Sequence, residues 1–91
     1  MKKEALRKKD NLKSKKESYT LVLFNDEANT FDHVIRSLVE ICGHDPVQAE
    51  QCTLIAHFRG SCEVKNGSKE LLLLMRTELM SKGLESTVEK L

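Results

Sequence analysis

The chain has 91 residues and a net charge of only +1, and it contains no apolar run approaching the roughly 20 residues that span a bilayer. This length allows one domain, and the charged N-terminus excludes an apolar secretory signal. We therefore expect a monomeric, cytoplasmic protein that does not enter a membrane.

Charge divides the chain into two parts. Residues 1–18 carry eight Lys/Arg and three Asp/Glu, a net +5, whereas residues 19–91 carry seven and eleven, a net −4. Because segment 1–17 has almost no apolar pattern, we expect a disordered basic tail followed by one folded domain over 18–91. The tail could instead bind nucleic acid, but no aromatic residues are interleaved with its basic ones, so we expect no nucleic-acid partner.

The first two predicted elements are a strand and a helix. The nearly continuous apolar run Tyr19–Phe24 predicts a strand at the centre of a sheet or covered on both faces. The following helix begins after Asn29 or Thr30, either of which can cap it, and ends at Gly43. Its apolar stripe consists of Phe31, Val34, Ile35, Leu38, Val39 and Cys42.

A second helix follows after a short connection. Asp45 is a good N-cap, Pro46 suits the first helical position, and Gly60 ends the helix. Its apolar stripe is predicted to run through Ala49, Cys52 and Ala56, with Leu54, Ile55 and Phe58 alongside. The alternating segment Cys62–Gly67 then predicts a short strand that ends in a turn.

The remaining chain predicts a third helix and a third strand. Ser68 can cap a helix from Lys69 to about Lys82, and Glu85–Leu91 has a strand-compatible pattern. The broad apolar face of this helix is predicted to be Leu71–Met75, Leu79 and Met80. The order β-α-α-β-α-β predicts an α+β domain, with a three-stranded antiparallel sheet and three helices on one of its faces.

The cysteines do not form a metal or catalytic motif. Cys42, Cys52 and Cys62 recur every ten residues, which is not the spacing of zinc ligands, and their odd number favours reduced thiols. No phosphate-binding glycine loop and no motif that activates a nucleophile occurs either. We therefore expect no metal, no cofactor and no enzymatic activity. The alternative, a small thiol or metal enzyme, requires a reactive Cys52 or Cys62.

Polar acceptors gather at the predicted element ends. Asn25 and Asp26 directly follow the first strand, and His57 lies near the end of the second helix. If that helix packs beside the strand, an amide oxygen, a carboxylate and an imidazole nitrogen converge, which suits the three donors and positive charge of an α-ammonium group. The same residues also fit a turn after a strand and a helix C-terminus, so their chemistry alone leaves both interpretations open.

Two segments add a family resemblance. The run L-V-L-F-N-D-E-A-N-T-F-D-H-V over residues 21–34 and the segment A-H-F-R-G over residues 56–60 resemble the hallmark segments of ClpS, the adaptor family of the ATP-dependent Clp protease. Residues 83–89 also resemble the end of that family's domain. The similarity covers residues 19–91 with compatible spacing between the motifs, and it implies the ClpS fold.

The resemblance also implies a function. A ClpS adaptor binds substrate proteins whose N-terminal residue is bulky and apolar, and it delivers them to the N-terminal domain of a ClpA- or ClpC-type AAA+ unfoldase. By motif position, Asn25, Asp26 and His57 hold the substrate's α-amino group, Glu70 contacts the unfoldase, and the basic tail engages it. The pocket for the substrate side chain is implied to consist of Asn29, Thr30, Phe31, Val34, Thr53, Ala56 and Leu84.

Some positions depart from the family pattern. Asn29-Thr30-Phe31 stands in place of Thr-Pro-Met, which exchanges a flexible thioether for a rigid ring at Phe31. Glu27 replaces the usual second Asp, and Met75 replaces a Lys that some members use at the unfoldase surface. These changes leave a second hypothesis open, in which the chain docks on the unfoldase and alters its substrate choice without itself reading N-termini.

Overall fold

The computed structural model describes residues 18–91, and the expected disordered tail, residues 1–17, lies outside the described residues. The elements are β1 (Tyr19–Phe24), α1 (Phe31–Cys42), α2 (Pro46–Arg59), β2 (Ser61–Gly67), α3 (Lys69–Ser81) and β3 (Ser86–Lys90). This order is the one that the sequence predicts, and the boundaries closely follow the predicted ones.

Side-chain caps fix where each helix begins. The Thr30 hydroxyl accepts the His33 backbone N–H at 3.1 Å, so Thr30 rather than Asn29 is the N-cap of α1. Asp45 caps α2 in the same way, and Ser68 caps α3. These caps satisfy backbone donors that a helix cannot satisfy internally, which explains why the boundaries could be predicted.

The sheet is antiparallel with the order β2-β1-β3, so β1 is the central strand. Leu21 and Leu23 on one face of β1 are fully or almost fully buried, and buried residues of all three helices pack with them. The helices contribute Val34, Leu38, Cys42, Ala49, Cys52, Ala56, Leu72 and Leu79 to this core. The predicted α+β fold with three helices on one face is confirmed within residues 18–91.

The predicted apolar face of α3 is only partly correct. Leu72 and Leu79 are fully buried, whereas Leu74 is 66% exposed and Met80 is 47% exposed. Five successive apolar residues, Leu71–Met75, point in all directions around a helix, but α3 packs against the core on one side only. Within residues 18–91, no helix is long and apolar enough to cross a membrane.

The burial contrast along α3 predicts a stability difference. Replacing the fully buried Leu72 by Ala should lower the free energy of unfolding by about 2–5 kcal/mol, because it leaves a cavity in the core. The matched change in the same helix, Leu74→Ala, should cost no more than about 0.5 kcal/mol. Urea denaturation of both variants measures the difference. Equal losses would contradict the assigned orientation of α3.

Candidate functional site

Two backbone hydrogen bonds fix the end of β1. The Phe24 N–H donates to the Glu85 carbonyl at 3.0 Å, and the Asn25 N–H donates to the Gly60 carbonyl at 2.9 Å. Gly60 has a φ of 95°, which lets the chain leave α2 and enter β2 within one residue. The end of α2 and the segment before β3 therefore meet the residues that follow β1.

A small cavity of about 20 Å³ lies at this meeting point, with room for about one water molecule. Its lining residues are Leu23, Phe24, Asn25, Asp26, Asn29, Phe31, Val34, Thr53, Ala56, His57 and Leu84. The structure thus brings together Asn25, Asp26 and His57, which the sequence singled out at separate element ends. All residues of the predicted side-chain pocket except Thr30 line the same cavity.

Three residues differ from the predicted lining. Thr30 is not among the lining residues, and its hydroxyl instead caps α1. Leu23 and Phe24 do line the cavity, although the sequence gave no reason to choose them beyond their place directly before Asn25. A strand that ends at a site contributes its last side chains to it, and this position is the signal that could have identified them.

The Asp26 carboxylate is held by its own loop. Its Oδ1 accepts the Ala28 N–H at 2.8 Å, and its Oδ2 accepts from Asn29 Nδ2 at 2.9 Å. The same Asn29 nitrogen donates to the Gly83 carbonyl at 2.9 Å, so one amide ties Asp26 to the turn after α3. A carboxylate has about four acceptor positions, and within residues 18–91 Asp26 has no cationic partner.

The His57 ring lies between two phenylalanine rings. Its centroid is 5.1 Å from that of Phe31 and 5.0 Å from that of Phe58, both edge-on. These contacts orient the imidazole without using its nitrogens, and in the described part of the chain neither nitrogen has a hydrogen-bond partner. His57 can therefore accept a hydrogen bond from a ligand.

Comparison with known proteins identifies the family. A model of the ATP-dependent Clp protease adaptor protein ClpS matches residues 14–87. The chain belongs to the ClpS family. The family resemblance carried by its motifs is thereby confirmed, and the family is one of adaptors for the Clp protease.

The fold of this ClpS-family chain also resembles a solved structure. Agrobacterium tumefaciens ClpS2, solved with bound L-phenylalaninamide, matches with a TM-score of 0.77 and 20% sequence identity. The match covers 80% of this chain and 95% of that chain. No curated protein matches the sequence. At 20% sequence identity, this similarity shows the shared fold alone.

None of the three free cysteines of this ClpS-family chain lines the cavity. Burial raises the pKa of Cys42 to about 11, and burial together with a hydrogen bond to Cys62 raises that of Cys52. Both thiols therefore stay protonated at neutral pH and are poor nucleophiles.

Among residues 18–91, no group of three or more His, Cys, Asp or Glu could hold a metal. The one hydroxyl among the described lining residues, that of Thr53, donates to the Ala49 carbonyl at 2.8 Å.

The double role of the Asn29 amide predicts the effect of its removal. Asn29→Ala should lower the free energy of unfolding by about 1–3 kcal/mol, because it removes a bond to a carboxylate and a bond between two loops. It should also shift the backbone amide signals of Ala28 and Leu84 in NMR spectra, one on each side of the bridge. Urea denaturation and ¹H–¹⁵N correlation spectra measure these effects.

Asn66→Ala is the matched control for this change. The Asn66 side chain is exposed in β2 and makes no hydrogen bond within residues 18–91, so its loss should change stability by less than about 0.5 kcal/mol. If Asn29→Ala were no more destabilising than Asn66→Ala, the hydrogen bonds from Asn29 to Asp26 and Gly83 would not contribute to the stability of the fold.

Proposed function

We propose that this chain binds the free N-terminal residue of substrate proteins that begin with a bulky apolar residue, and that it presents them to the AAA+ unfoldase of a Clp protease. The observation that carries the proposal is the convergence of Asn25, Asp26 and His57 on one cavity whose other walls are mainly apolar. In this role the chain acts by binding and not by catalysis.

The polar side of the cavity suits an α-ammonium group. Asp26 offers a carboxylate without a cationic partner in residues 18–91, Asn25 offers an amide oxygen, and His57 offers a ring nitrogen. The α-amino group has a reference pKa of about 7.7–8.0, so it is mostly protonated at neutral pH and carries three donors. Acetylation removes both the charge and two of the donors, so a blocked N-terminus should not bind.

The apolar side of the cavity suits a bulky side chain once it opens. Val34, Ala56 and Leu84 supply aliphatic surface, and Thr53 turns its hydroxyl away toward the Ala49 carbonyl. A volume of about 20 Å³ is far too small for such a side chain. The Phe31 ring, which lines the cavity and contacts the His57 ring edge-on, limits the space available. Phe31 is 43% exposed, so its ring can swing outward without opening the core.

The same proposal assigns the unfoldase contact to α3. Glu70 lies exposed in the first turn of α3, and Leu74, which is 66% exposed, follows it by one helical turn on the same face. An acidic residue beside exposed apolar surface suits a protein interface better than a solvated helix face. We assign this surface to the N-terminal domain of a ClpA- or ClpC-type unfoldase, with the adaptor acting as a monomer in the cytoplasm.

Peptide binding tests the proposal directly. Labelled peptides that differ only at residue one should bind when that residue is Phe, Leu, Tyr or Trp with a free amino group, and acetyl-Phe should not bind. Asp26→Ala should cost about 2–5 kcal/mol of binding free energy, because Asp26 is the one acidic residue among the described residues that line the cavity. Fluorescence anisotropy measures both effects. Equal binding of the free and acetylated Phe peptides would contradict the proposal.

The position of Phe31 predicts a change in selectivity. Phe31→Met should raise the affinity for an N-terminal Trp relative to Leu about 3- to 10-fold, because an unbranched thioether moves aside and fits irregular surfaces more easily than a ring. Phe58→Met is the matched control, since Phe58 also contacts His57 but does not line the cavity. An unchanged Trp-to-Leu ratio in Phe31→Met would exclude Phe31 as the residue that limits access.

A further inference from the structure

We propose that Cys52 and Cys62 form an intramolecular disulfide when the protein meets a small disulfide oxidant such as glutathione disulfide. This bond fixes the end of α2 against β2. All three cysteines are free within residues 18–91, and none of them lines the cavity. The pair is therefore a modification site outside the cavity, and its oxidation does not depend on the proposed function.

The register of the sheet turns Cys62 toward the helices. Cys62 lies opposite Leu23 where β2 pairs with β1, so the two side chains are on the same face of the sheet. Leu23 is almost fully buried in the core, which identifies this face as the one that the helices cover. Cys62 packs against that core but is only half-buried, so a small oxidant can still reach it.

Cys52 reaches the same place from α2. Its side chain is buried in the same core cluster as Leu23. Burial, and then a hydrogen bond to the Cys62 side chain, raise the pKa of Cys52, so the two thiols are in contact. Only Gly60 separates α2 from β2, and this sharp connection brings together two cysteines that are ten positions apart in the sequence.

Thiol–disulfide exchange begins at Cys62, because Cys42 and Cys52 are buried. The deprotonated Cys62 sulfur attacks one sulfur of glutathione disulfide, which forms a mixed disulfide and releases the first glutathione. The Cys52 sulfur then attacks the Cys62 sulfur, which breaks the mixed disulfide and releases the second glutathione. Each departing glutathione sulfur takes up a proton to replace the one that the attacking thiol has lost, and the two electrons lost by the protein thiols reduce glutathione disulfide.

The second attack is favoured although Cys52 is a poor nucleophile. Cys52 already contacts Cys62, so the reaction is intramolecular and needs no further encounter. A glutathione on Cys62 is therefore displaced by the neighbouring thiol, and the mixed disulfide does not accumulate.

The disulfide closes a ring over residues 52–62 that contains part of the candidate site. His57 lies within this ring, and so does Gly60, whose carbonyl accepts the Asn25 N–H at 2.9 Å. A cross-link reduces the conformations available to the ring when it opens. Oxidation therefore strengthens the contact between the end of α2 and the residue that follows β1.

Titration of the full chain with mixtures of reduced and oxidised glutathione tests the pairing. The oxidised product should be a monomer that has lost two hydrogen atoms, and alkylation after denaturation should modify one cysteine instead of three. Peptide mapping by mass spectrometry should place the bond between Cys52 and Cys62. The Tm should rise by about 5 °C or more on oxidation, because the cross-link restricts the unfolded chain.

Two single variants locate the bond. Cys62→Ala should abolish both the intramolecular disulfide and the rise in Tm, and the half-buried position makes this change compatible with the fold. Cys42→Ala is the matched control, because it also removes one thiol but leaves the proposed pair in place. This variant should still lose two hydrogen atoms and gain the same Tm increase on oxidation.

Hydrogen–deuterium exchange measures the effect on the site. Exchange at the Asn25 amide should slow by about three- to tenfold on oxidation, because its acceptor Gly60 lies within the ring. The neighbouring Phe24 amide is the internal control, since its acceptor Glu85 lies outside the ring. Its exchange rate should change by less than about twofold.

Several outcomes would overturn the disulfide. These are thiols that stay reduced in every glutathione mixture, a stable glutathione adduct on Cys62, a bond between Cys42 and Cys52, or disulfides only between two copies of the chain. Equal slowing of exchange at Asn25 and Phe24 would overturn the proposed effect on the end of α2. None of these measurements uses a substrate, so each result leaves the proposed function to its own test.

Discussion

The candidate site depends on how the last residues of β1 are held. The Phe24 N–H and the Asn25 N–H donate to the carbonyls of Glu85 and Gly60, which directly precede the two strands on either side of β1. These two bonds bring the end of α2 and the start of β3 to the same point of the central strand. Because of these two bonds, one cavity is lined both by Asn25, Asp26 and His57 and by apolar side chains, although its lining residues come from four separate segments of the chain.

Most of the fold follows from local chemistry. Each helix begins at a side-chain cap, namely Thr30, Asp45 or Ser68, and the first two helices end at the left-handed glycines Gly43 and Gly60. The nearly continuous apolar run of β1 indicates a central strand. The pattern was insufficient in α3, where apolar residues surround the helix. Which of them enter the core is decided by the neighbours of α3 and not by its own sequence.

The site was less predictable than the fold. Asn25 and Asp26 could be chosen because they follow a strand, and His57 because it lies near a helix end, but only the family resemblance favoured a ligand over ordinary turn and cap roles. The bridge from Asn29 to Gly83 spans 54 positions of sequence, so no local pattern contains it. The closed volume of the cavity likewise depends on the orientation of one ring, that of Phe31, against His57.

The bond between Phe24 and Glu85 also links the site to the local stability of β3. This strand has five residues and lies at an edge of the sheet, so it is among the elements that open most readily. When it opens, Phe24 loses its acceptor and the cavity loses its Leu84 wall in the same event. A ligand that requires this wall therefore slows hydrogen–deuterium exchange at the Phe24 amide, and that single backbone position reports occupancy of the site.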